Sequence, residues 1–381
     1  MQAILALNAG SSSVKFKVYE VQAPEPVLLL RGMLDRDAGD SEFIIKDAAG
    51  KPIQDVRLNA SDTQADLAAI LLERIEPLLG GRKLCAVGHR IVHGGLDFSA
   101  PVLIDAEIIR RLEHLTPLAP LHQSGCLDPA RSILSLRPEL PQVACFDTAF
   151  HRTLSPIYRR FALPLEFEAK GIRRYGFHGL SFEYIVQQIN RPDLRLVVAH
   201  LGSGCSLCAI HNGTSVNTTM SFTPLDGLMM ATRSGAIDPG LVLYLLQSQG
   251  MSVAEIEDLL YRKSGLLGVS GCSADMRTLL ASADPNAKAA VDQFCARIAE
   301  QIAVMAMAMN GMDLLVFTGG IGENSAQIRS DVCARLQWLG VQAANDEAEG
   351  RSKTAAGVEV REISTDEEFI IASHTIATTS K

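Results

Sequence analysis

Ile4-Leu5-Ala6-Leu7-Asn8-Ala9-Gly10-Ser11-Ser12-Ser13-Val14-Lys15-Phe16 is the stretch on which the reading of this chain turns. An apolar strand runs into a Gly/Ser turn, and a second strand leaves it carrying a lysine. The backbone N–H groups of such a turn can point at one anion, with the serine hydroxyls and Lys15 beside them. That makes a phosphate cradle. It is not a P-loop, because the chain contains no G-x-x-x-x-G-K-[ST] string. Taken alone, the stretch reads equally well as an ordinary Ser/Gly hairpin turn.

The same device returns at Val197 to Ile210, where two apolar strands flank the turn Gly202-Ser203-Gly204. A third Gly-rich turn, Thr318-Gly319-Gly320-Ile321-Gly322-Glu323-Asn324, follows the strand Leu314 to Phe317 and opens a helix. One turn lies in the first half of the chain and two in the second. Eight strings then occur in order: N-A-G-S-S-S-V-K-F from Asn8, G-H-R-I-V-H-G-G from Gly88, F-D-T-A-F-H from Phe146, R-Y-G-F-H-G from Arg174, H-L-G-S-G from His200, F-T-P-L-D-G-L-M-M-A-T-R-S-G from Phe222, F-T-G-G-I-G-E-N-S from Phe317 and S-T-D-E-E-F-I-I-A from Ser364. On these strings the chain resembles the acetate kinase family, with its short-chain fatty-acid kinase relatives, along almost its whole length. The resemblance implies an α/β protein of two actin-like (ribonuclease H-like) domains flanking a nucleotide cleft. It places the N-terminal domain at residues 1–148, joined by the segment 368–381, and the nucleotide-binding domain at 149–367.

Composition bounds the rest. With 381 residues the chain is long enough for two domains. Hydrophobic residues make up 47% and mean hydropathy is +0.15, so a large core can be buried. The net charge of −8 and the lack of a basic stretch argue against nucleic acid as a partner. No charged n-region followed by an apolar h-region opens the chain, so no signal peptide is expected. The nearest approach to a membrane span, Ile302 to Gly322, is broken by Asn310, Gly311 and Asp313, and reads as a helix end, a turn and a buried strand. Eight scattered cysteines, several in apolar runs, suit buried free thiols in a reducing cytoplasm. Cys205 and Cys208 fall in a predicted strand, where residues three apart face opposite ways and cannot grip one ion.

Periodicity places the elements. Strands are expected at Leu28 to Leu34, Glu42 to Lys46, Leu84 to Gly88, Gln142 to Phe146 and Leu196 to Leu201. Helices are expected at Thr63 to Leu79 with Asp62 as N-cap, at Pro239 to Gln247, at Val253 to Arg262 and from about Asn286. In the last of these Val291, Phe294, Ile298, Ile302, Met305 and Met309 form a core or subunit-contact stripe. The strands that start at Leu84 and Gln142 end at His89-Arg90 and at Asp147, and the carboxyl end of a strand is where an open α/β sheet offers side chains to a ligand. The interdomain crossing is expected near Thr148.

Phosphoryl transfer to a carboxylate brings two anions together, so it needs positive charge, a divalent metal and placement more than a base. Arg90 and Arg233 are the natural clamps, because a guanidinium binds a carboxylate or phosphoryl group through two parallel bonds. The resemblance places both at the substrate carboxylate and the transferring group, and makes His178 a donor to the transition state with His200 and His122 nearby. It makes Asp147 essential. A bare carboxylate there would repel the substrate, so a role in orienting the metal or balancing the arginines fits better than proton transfer. The resemblance also implies Asn8 and Glu367 as metal-associated residues for Mg2+ (Mn2+ as its substitute), with Glu368 competing for that place. For ATP it implies Lys15, Ser11 and Ser13, the turn His200, Leu201, Gly202, Ser203 and Gly204, then Asp275, Met276 and Arg277, and finally Gly320, Ile321, Gly322, Glu323 and Asn324. For the substrate methyl it implies Val92, Leu121, Phe177 and Pro224, and a valine at 92 suits acetate better than a longer acid. The other histidines, His89, His93, His114, His151, His211 and His374, read as structural.

The chain departs from the family strings at Ser203, Gln123 and Ala236. The resemblance implies a cytoplasmic homodimer that takes acetate and ATP, with neither nucleic acid nor membrane as partner. A propionate or butyrate kinase, and a relative using pyrophosphate as donor, are the near alternatives. An actin-like ATP-switch binding protein is the alternative from another class, and it has no need of a carboxylate clamp.

Overall fold

The opening stretch folds as a hairpin. β1 (Gln2–Ala9) and β2 (Ser13–Glu20) pair antiparallel, with Asn8 opposite Lys15. The computed structural model describes residues 1–10, 13–35, 41–58, 64–120, 122–341 and 357–380; Ser11, Asp62 and Leu121 lie outside these residues. The described chain divides into two units, Met1–Phe150 with Asp366–Lys381, and His151–Thr365.

The first unit adds β3 (Val27–Asp35), β4 (Ser41–Asp47), β5 (Pro52–Leu58), β6 (Lys83–Ile91), β7 (Val102–Leu103) and β8 (Gln142–Phe146), in the order β5-β4-β3-β2-β1-β6-β8-β7. β1, β6 and β8 run parallel, while β1 to β5 form an antiparallel meander. Alternation sorts the two faces. Val14, Phe16 and Val18 join Leu5, Leu7 and residues Leu71, Leu72 and Ile75 of the helix Gln64–Ile75 in one core. The helix Glu367–Thr379 packs against β1, β6 and β8. All five residues of β8 are buried, as expected for a strand covered on both sides.

Gly88 sets how closely that helix can lie. A Cβ there would stand 2.2 Å from Thr375 Oγ1 and 2.5 Å from Ile371 Cγ2. The missing side chain lets the helix seat on β6 and bring its first residues, Glu367 and Glu368, to the end of β1.

The second unit contains β9 (Leu196–Leu201), β10 (Cys205–His211), β11 (Thr214–Thr218), β12 (Leu314–Thr318) and β13 (Glu359–Glu362), ordered β11-β10-β9-β12-β13. β9 runs antiparallel to β10 and parallel to β12, which runs parallel to β13. This order repeats β3-β2-β1-β6-β8 of the first unit, hairpin edge and parallel edge alike. Both sheets therefore have the actin-like core. Unit one extends it with β4 and β5 at one edge and β7 at the other. The helix Pro285–Ala308 packs on β9, β10 and β11 and buries Val291, Phe294, Ile298, Ile302 and Met305, so the apolar stripe is core. From Ile302 to Gly322 the chain is a helix end, a turn, the buried β12 and a further helix start. Among the described residues no helix is long and apolar enough to cross a membrane.

Two expected boundaries need correction, and one helix is new. β6 runs on to Ile91, past the Gly88 expected to close its buried stretch, so Arg90 is the last residue of the strand but one. The helix expected to reach Leu79 is α-helical only to Ile75 and continues as the 3-10 turn Glu76–Leu79. Pro77 explains the change, since it lacks the N–H that an α-ladder needs and crowds the preceding turn. The helix Gly179–Ile189 was not anticipated.

Two imidazoles are locked in the interior. His89 Nε2 lies 2.8 Å from Gln142 Oε1. His151 Nδ1 lies 2.8 Å from Ser215 Oγ, and its Nε2 lies 2.9 Å from the Phe177 carbonyl oxygen. Burial pushes each imidazole down to about 4. The folded protein therefore resists protonation at sites that the unfolded chain protonates near its ordinary value of about 6.5.

Two outcomes follow from this packing. Gly88→Ala should destabilise the first unit by roughly 1–3 kcal/mol through overpacking against Thr375 and Ile371. A urea midpoint equal to that of the parent protein would mean the helix shifts freely. Acid should also weaken the protein as pH falls from 6.5 toward 4, by roughly 3 kcal/mol at most for each buried imidazole, because the unfolded state binds those protons first. His151→Gln, which cannot take up a proton, should flatten that slope, and an unchanged slope in the variant would count against it.

Candidate active site

The parallel strands of the first unit end in polar side chains. Asn8 comes from the end of β1, Arg90 from β6, and Asp147 from the residue after β8. Asp147 is fully buried. Its Oδ2 accepts from Arg90 Nε at 2.9 Å and from Arg90 Nη2 at 2.5 Å. Both guanidinium donors thus converge on one oxygen, and Asp147 Oδ1 is left buried without a hydrogen-bond partner among the described residues. Burial raises the Asp147 carboxyl to about 6, with Arg90 opposing the shift and Glu367 adding to it. For Arg90, burial works against its charge, but the Asp147 and Glu367 carboxylates more than offset this and raise it.

Asn8 joins this pair to the C-terminal helix. Its Nδ2 donates to Glu367 Oε2 at 2.8 Å and to Glu368 Oε1 at 3.0 Å, while its Oδ1 accepts from Arg90 Nη1 at 3.2 Å. Glu367 Oε2 lies 3.9 Å from Arg90 Nε. Glu368 is separated from it by partner, lying 3.5 Å from Lys17 Nζ. Burial raises the Glu368 carboxyl, and Lys17 opposes the rise. Lys17 also pairs with Asp366 Oδ2 at 2.6 Å, and Tyr19 Oη donates to Asp366 Oδ1 at 3.2 Å. Formally, four carboxylates (Asp147, Asp366, Glu367, Glu368) face two cations (Arg90, Lys17), and Asp147 Oδ1 is unpartnered among the described residues. Among the described residues no three His, Cys, Asp or Glu side chains are grouped to hold a metal ion, so a hard divalent cation here would draw only part of its shell from the protein. Mg2+ needs only one or two protein carboxylates beside phosphate and water, so no closed metal cage is required. Sequence reading missed Lys17. Its signal was available, because Lys15 and Lys17 share one face of β2 while Val14, Phe16 and Val18 take the other.

Val92 is buried immediately after β6. The loop beyond it is held by Gln123, one of the departures. Gln123 Oε1 accepts from the His93 N–H at 3.1 Å, and its Nε2 donates to the His93 carbonyl at 3.1 Å and to the Leu112 carbonyl at 3.2 Å. A buried amide thus pairs with the backbone as a strand would, and Gln123 acts on the loop's position. His122 sits at the N-terminal boundary of the helix Gln123–Leu136. Lys15 is exposed on β2.

In the second unit the glycine turns stand at the carboxyl ends of the parallel strands β9 and β12, while His178 and Arg233 reach the first of them from outside the sheet. The turn after β9 is closed by Gly202 N–H donating to the Gly204 carbonyl at 3.0 Å. Gly319, after β12, has φ +78, and a Cβ there would stand 2.8 Å from the Leu201 carbonyl oxygen, so only glycine lets the two turns meet. His178 and His200 stack with centroids 4.3 Å apart and planes 24° apart. His178 Nδ1 lies 2.8 Å from Ser206 Oγ, and His200 Nδ1 lies 2.8 Å from Ser181 Oγ. Their outer nitrogens face the glycine turn. A Cβ on Gly204 would stand 3.4 Å from His178 Nε2 and 3.7 Å from Arg233 Nη1, and one on Gly202 would stand 3.9 Å from His200 Nε2. His178 has φ 57, a left-handed conformation that costs a non-glycine residue about 1–2 kcal/mol. The Ser206 contact and the stack on His200 hold it there.

Arg233 Nη1 donates to the Pro224 carbonyl at 2.9 Å, which joins two of the predicted residues. The Ala231 N–H donates to the Ser203 carbonyl at 3.2 Å, so the Arg233 loop and the glycine turn are tied together. Phe177 is buried, with its carbonyl on His151. In the turn after β12, Glu323 Oε1 accepts from the Gly319 N–H at 2.9 Å and the Thr365 N–H at 3.1 Å, while Asn324 Nδ2 donates to the Gly320 carbonyl at 2.8 Å. These side chains brace the turn. Asp275 caps the helix Met276–Ala281 through the N–H groups of Arg277 and Thr278 and pairs with Arg277 Nη2 at 2.9 Å; no hydrogen bond among the described residues joins them to the glycine turns.

Proteins of known family share this sequence from end to end. The family model described as the Acetokinase family matches residues 3–373. An acetate kinase of Rhodopseudomonas palustris (strain ATCC BAA-98 / CGA009) is 47% identical over 388 residues, covering 97% of each chain, and one of Rickettsia akari is 42% identical over 98% of each. Among solved structures, a propionate kinase from Francisella tularensis superposes with a TM-score of 0.90 at 37% identity, over 99% of this chain and all of that one. The acetate kinase of Porphyromonas gingivalis gives 0.85 at 35% identity over the full length of both. With two actin-like sheets carrying polar residues at matching strand ends, and a family match across nearly all of its length, the chain belongs to the acetokinase family.

Proposed function

We propose that the protein is an acetate kinase, moving the γ-phosphoryl group of ATP reversibly to acetate. The observation that carries this reading is the convergence of His178 Nε2, His200 Nε2 and Arg233 Nη1 on the Gly202–Gly204 turn, in a chain akin to acetate kinases over its whole length. Acetate is ionised at neutral pH, so no base is needed; the difficulty is the approach of two anions. A guanidinium and two imidazole N–H groups beside a glycine turn supply donors where charge spreads over the transferring oxygens. Arg90 offers a second guanidinium, already fixed by Asp147 and Asn8.

Mg2+, with Mn2+ as its substitute, belongs to the same proposal. Asp147 Oδ1, Asn8 and Glu367 would hold it directly or through water, and Glu367 is preferred to Glu368 because Glu368 already neighbours Lys17. When bound, the ion would neutralise phosphate charge. Lys15, Ser11 and Ser13, the turns at 200–204 and 320–324, and Asp275–Arg277 are the proposed nucleotide contacts; Val92, Leu121, Phe177 and Pro224 are the proposed walls for the substrate methyl. A reducing cytoplasm belongs to the same proposal, supported by the burial of Cys126, Cys205, Cys208, Cys295 and Cys333 as thiols in the core. Leu241, Leu243, Tyr244 and Val253 are exposed on neighbouring helices, which supports a homodimer.

Hydroxylamine trapping tests the reaction directly. Acetyl hydroxamate should form from acetate with ATP and Mg2+, ahead of propionate and butyrate and ahead of pyrophosphate as donor. ATP hydrolysis without any hydroxamate would overturn the reading in favour of an ATP switch. Arg233→Lys keeps the charge and loses the fork. It should lower kcat by most of the roughly 10³–10⁵-fold that transition-state arginines contribute in phosphoryl transfer, with KM for ATP little changed. A near-parental kcat would show that diffuse charge suffices. Asp147→Asn should lower kcat by at least about 10–100-fold and raise the Mg2+ concentration needed for half-maximal rate. Unaltered metal dependence with a changed pH profile would remove the metal role.

A further inference from the structure

We propose that Thr365 is a positioning residue that decides which nitrogen of His200 carries the proton. The inference rests on the acetate kinase reading above for its catalytic consequence, but not for its structural content. Thr365 is the last residue of the second unit, after β13, and lies 184 positions from its partner Ser181. Its hydroxyl donates to Ser181 Oγ at 2.9 Å, and Ser181 Oγ lies 2.8 Å from His200 Nδ1. A serine hydroxyl has one proton. Having accepted a hydrogen bond from Thr365, Ser181 directs its own proton to His200 Nδ1. That nitrogen is then the acceptor, and Nε2 carries the imidazole proton.

The direction of this relay matters because of where Nε2 points. It faces the Gly202–Gly204 turn, beside which Gly320 N also lies, so the relay delivers an N–H to the place proposed for phosphoryl oxygens. The stack with His178 adds a second reason. Two imidazolium rings with centroids 4.3 Å apart would repel each other. A neutral ring held as its Nε2–H tautomer donates a hydrogen bond without adding that charge. Thr365 also donates its backbone N–H to Glu323 Oε1, the atom that accepts from the Gly319 N–H. One residue therefore anchors both the donor imidazole and the turn after β12.

The test reads the tautomer and the kinetics separately. Protein labelled with 15N-histidine, without substrate, would be examined by long-range 1H–15N correlation, with His200→Gln used only to assign the resonance. The parent protein should show His200 as the Nε2–H form. Thr365→Val, which keeps the shape and removes the hydroxyl, should give a mixture of tautomers, and Thr365→Ser should restore the single form. In acyl phosphate synthesis Thr365→Val should lower kcat on the order of tenfold, with KM for ATP changing by less than about twofold, and Thr365→Ser should recover most of the loss. An Nδ1–H tautomer in the parent protein, or an unchanged tautomer in Thr365→Val, overturns the relay. If the tautomer results hold but the parent protein makes no acyl phosphate, the functional reading fails and the relay stands.

Discussion

The ion pair between Arg90 and Asp147 is the constraint around which the first unit is arranged. A carboxylate without solvent contact must have a cation, and removing one partner of such a pair costs about 3–5 kcal/mol because a bare charge is left inside. The pair is not built as a closed fork. Both guanidinium donors reach Oδ2, which leaves Oδ1 unsatisfied, and an arrangement chosen for stability alone would have used both oxygens. Asn8 then bridges Arg90 to Glu367 and Glu368, so the site depends on the C-terminal helix being seated on β6. That seating depends in turn on the absence of a side chain at Gly88.

The two units carry the same five-strand plan and different charges. The first unit places Asn8, Arg90 and Asp147 at the carboxyl ends of its three parallel strands, and the second places its glycine turns after two of its own, where backbone groups leave the ladder. In the first unit the carboxylates of Asp147, Glu367 and Glu368 gather there with Asn8 and Arg90; in the second, imidazoles and a guanidinium surround a glycine turn.

Several side chains beside the candidate residues, and some of the candidates themselves, also brace the structure. Glu323 bonds the N–H groups of Gly319 and Thr365, and Asp275 caps a helix. Gln123 pairs with the His93 backbone. His151, read as structural, holds the carbonyl of Phe177, whose neighbour His178 occupies a left-handed conformation. Loops that carry function are positioned by such contacts, because a loop's own backbone makes few hydrogen bonds.

Local pattern alone determined much of this protein. Strands Gln142–Phe146 and Leu196–Leu201 and helices Pro239–Gln247 and Val253–Arg262 were legible from apolar runs, periodicity and caps, which act within a few residues. The motif strings identified the family. Tertiary structure alone decided which oxygen of Asp147 is free, that Glu368 neighbours Lys17, that Gln123 grips the loop after Val92, and that Thr365 reaches Ser181. These contacts join residues 30 to 351 positions apart. No local periodicity encodes such pairings, because they arise only when sheet register and helix packing bring distant side chains to one place.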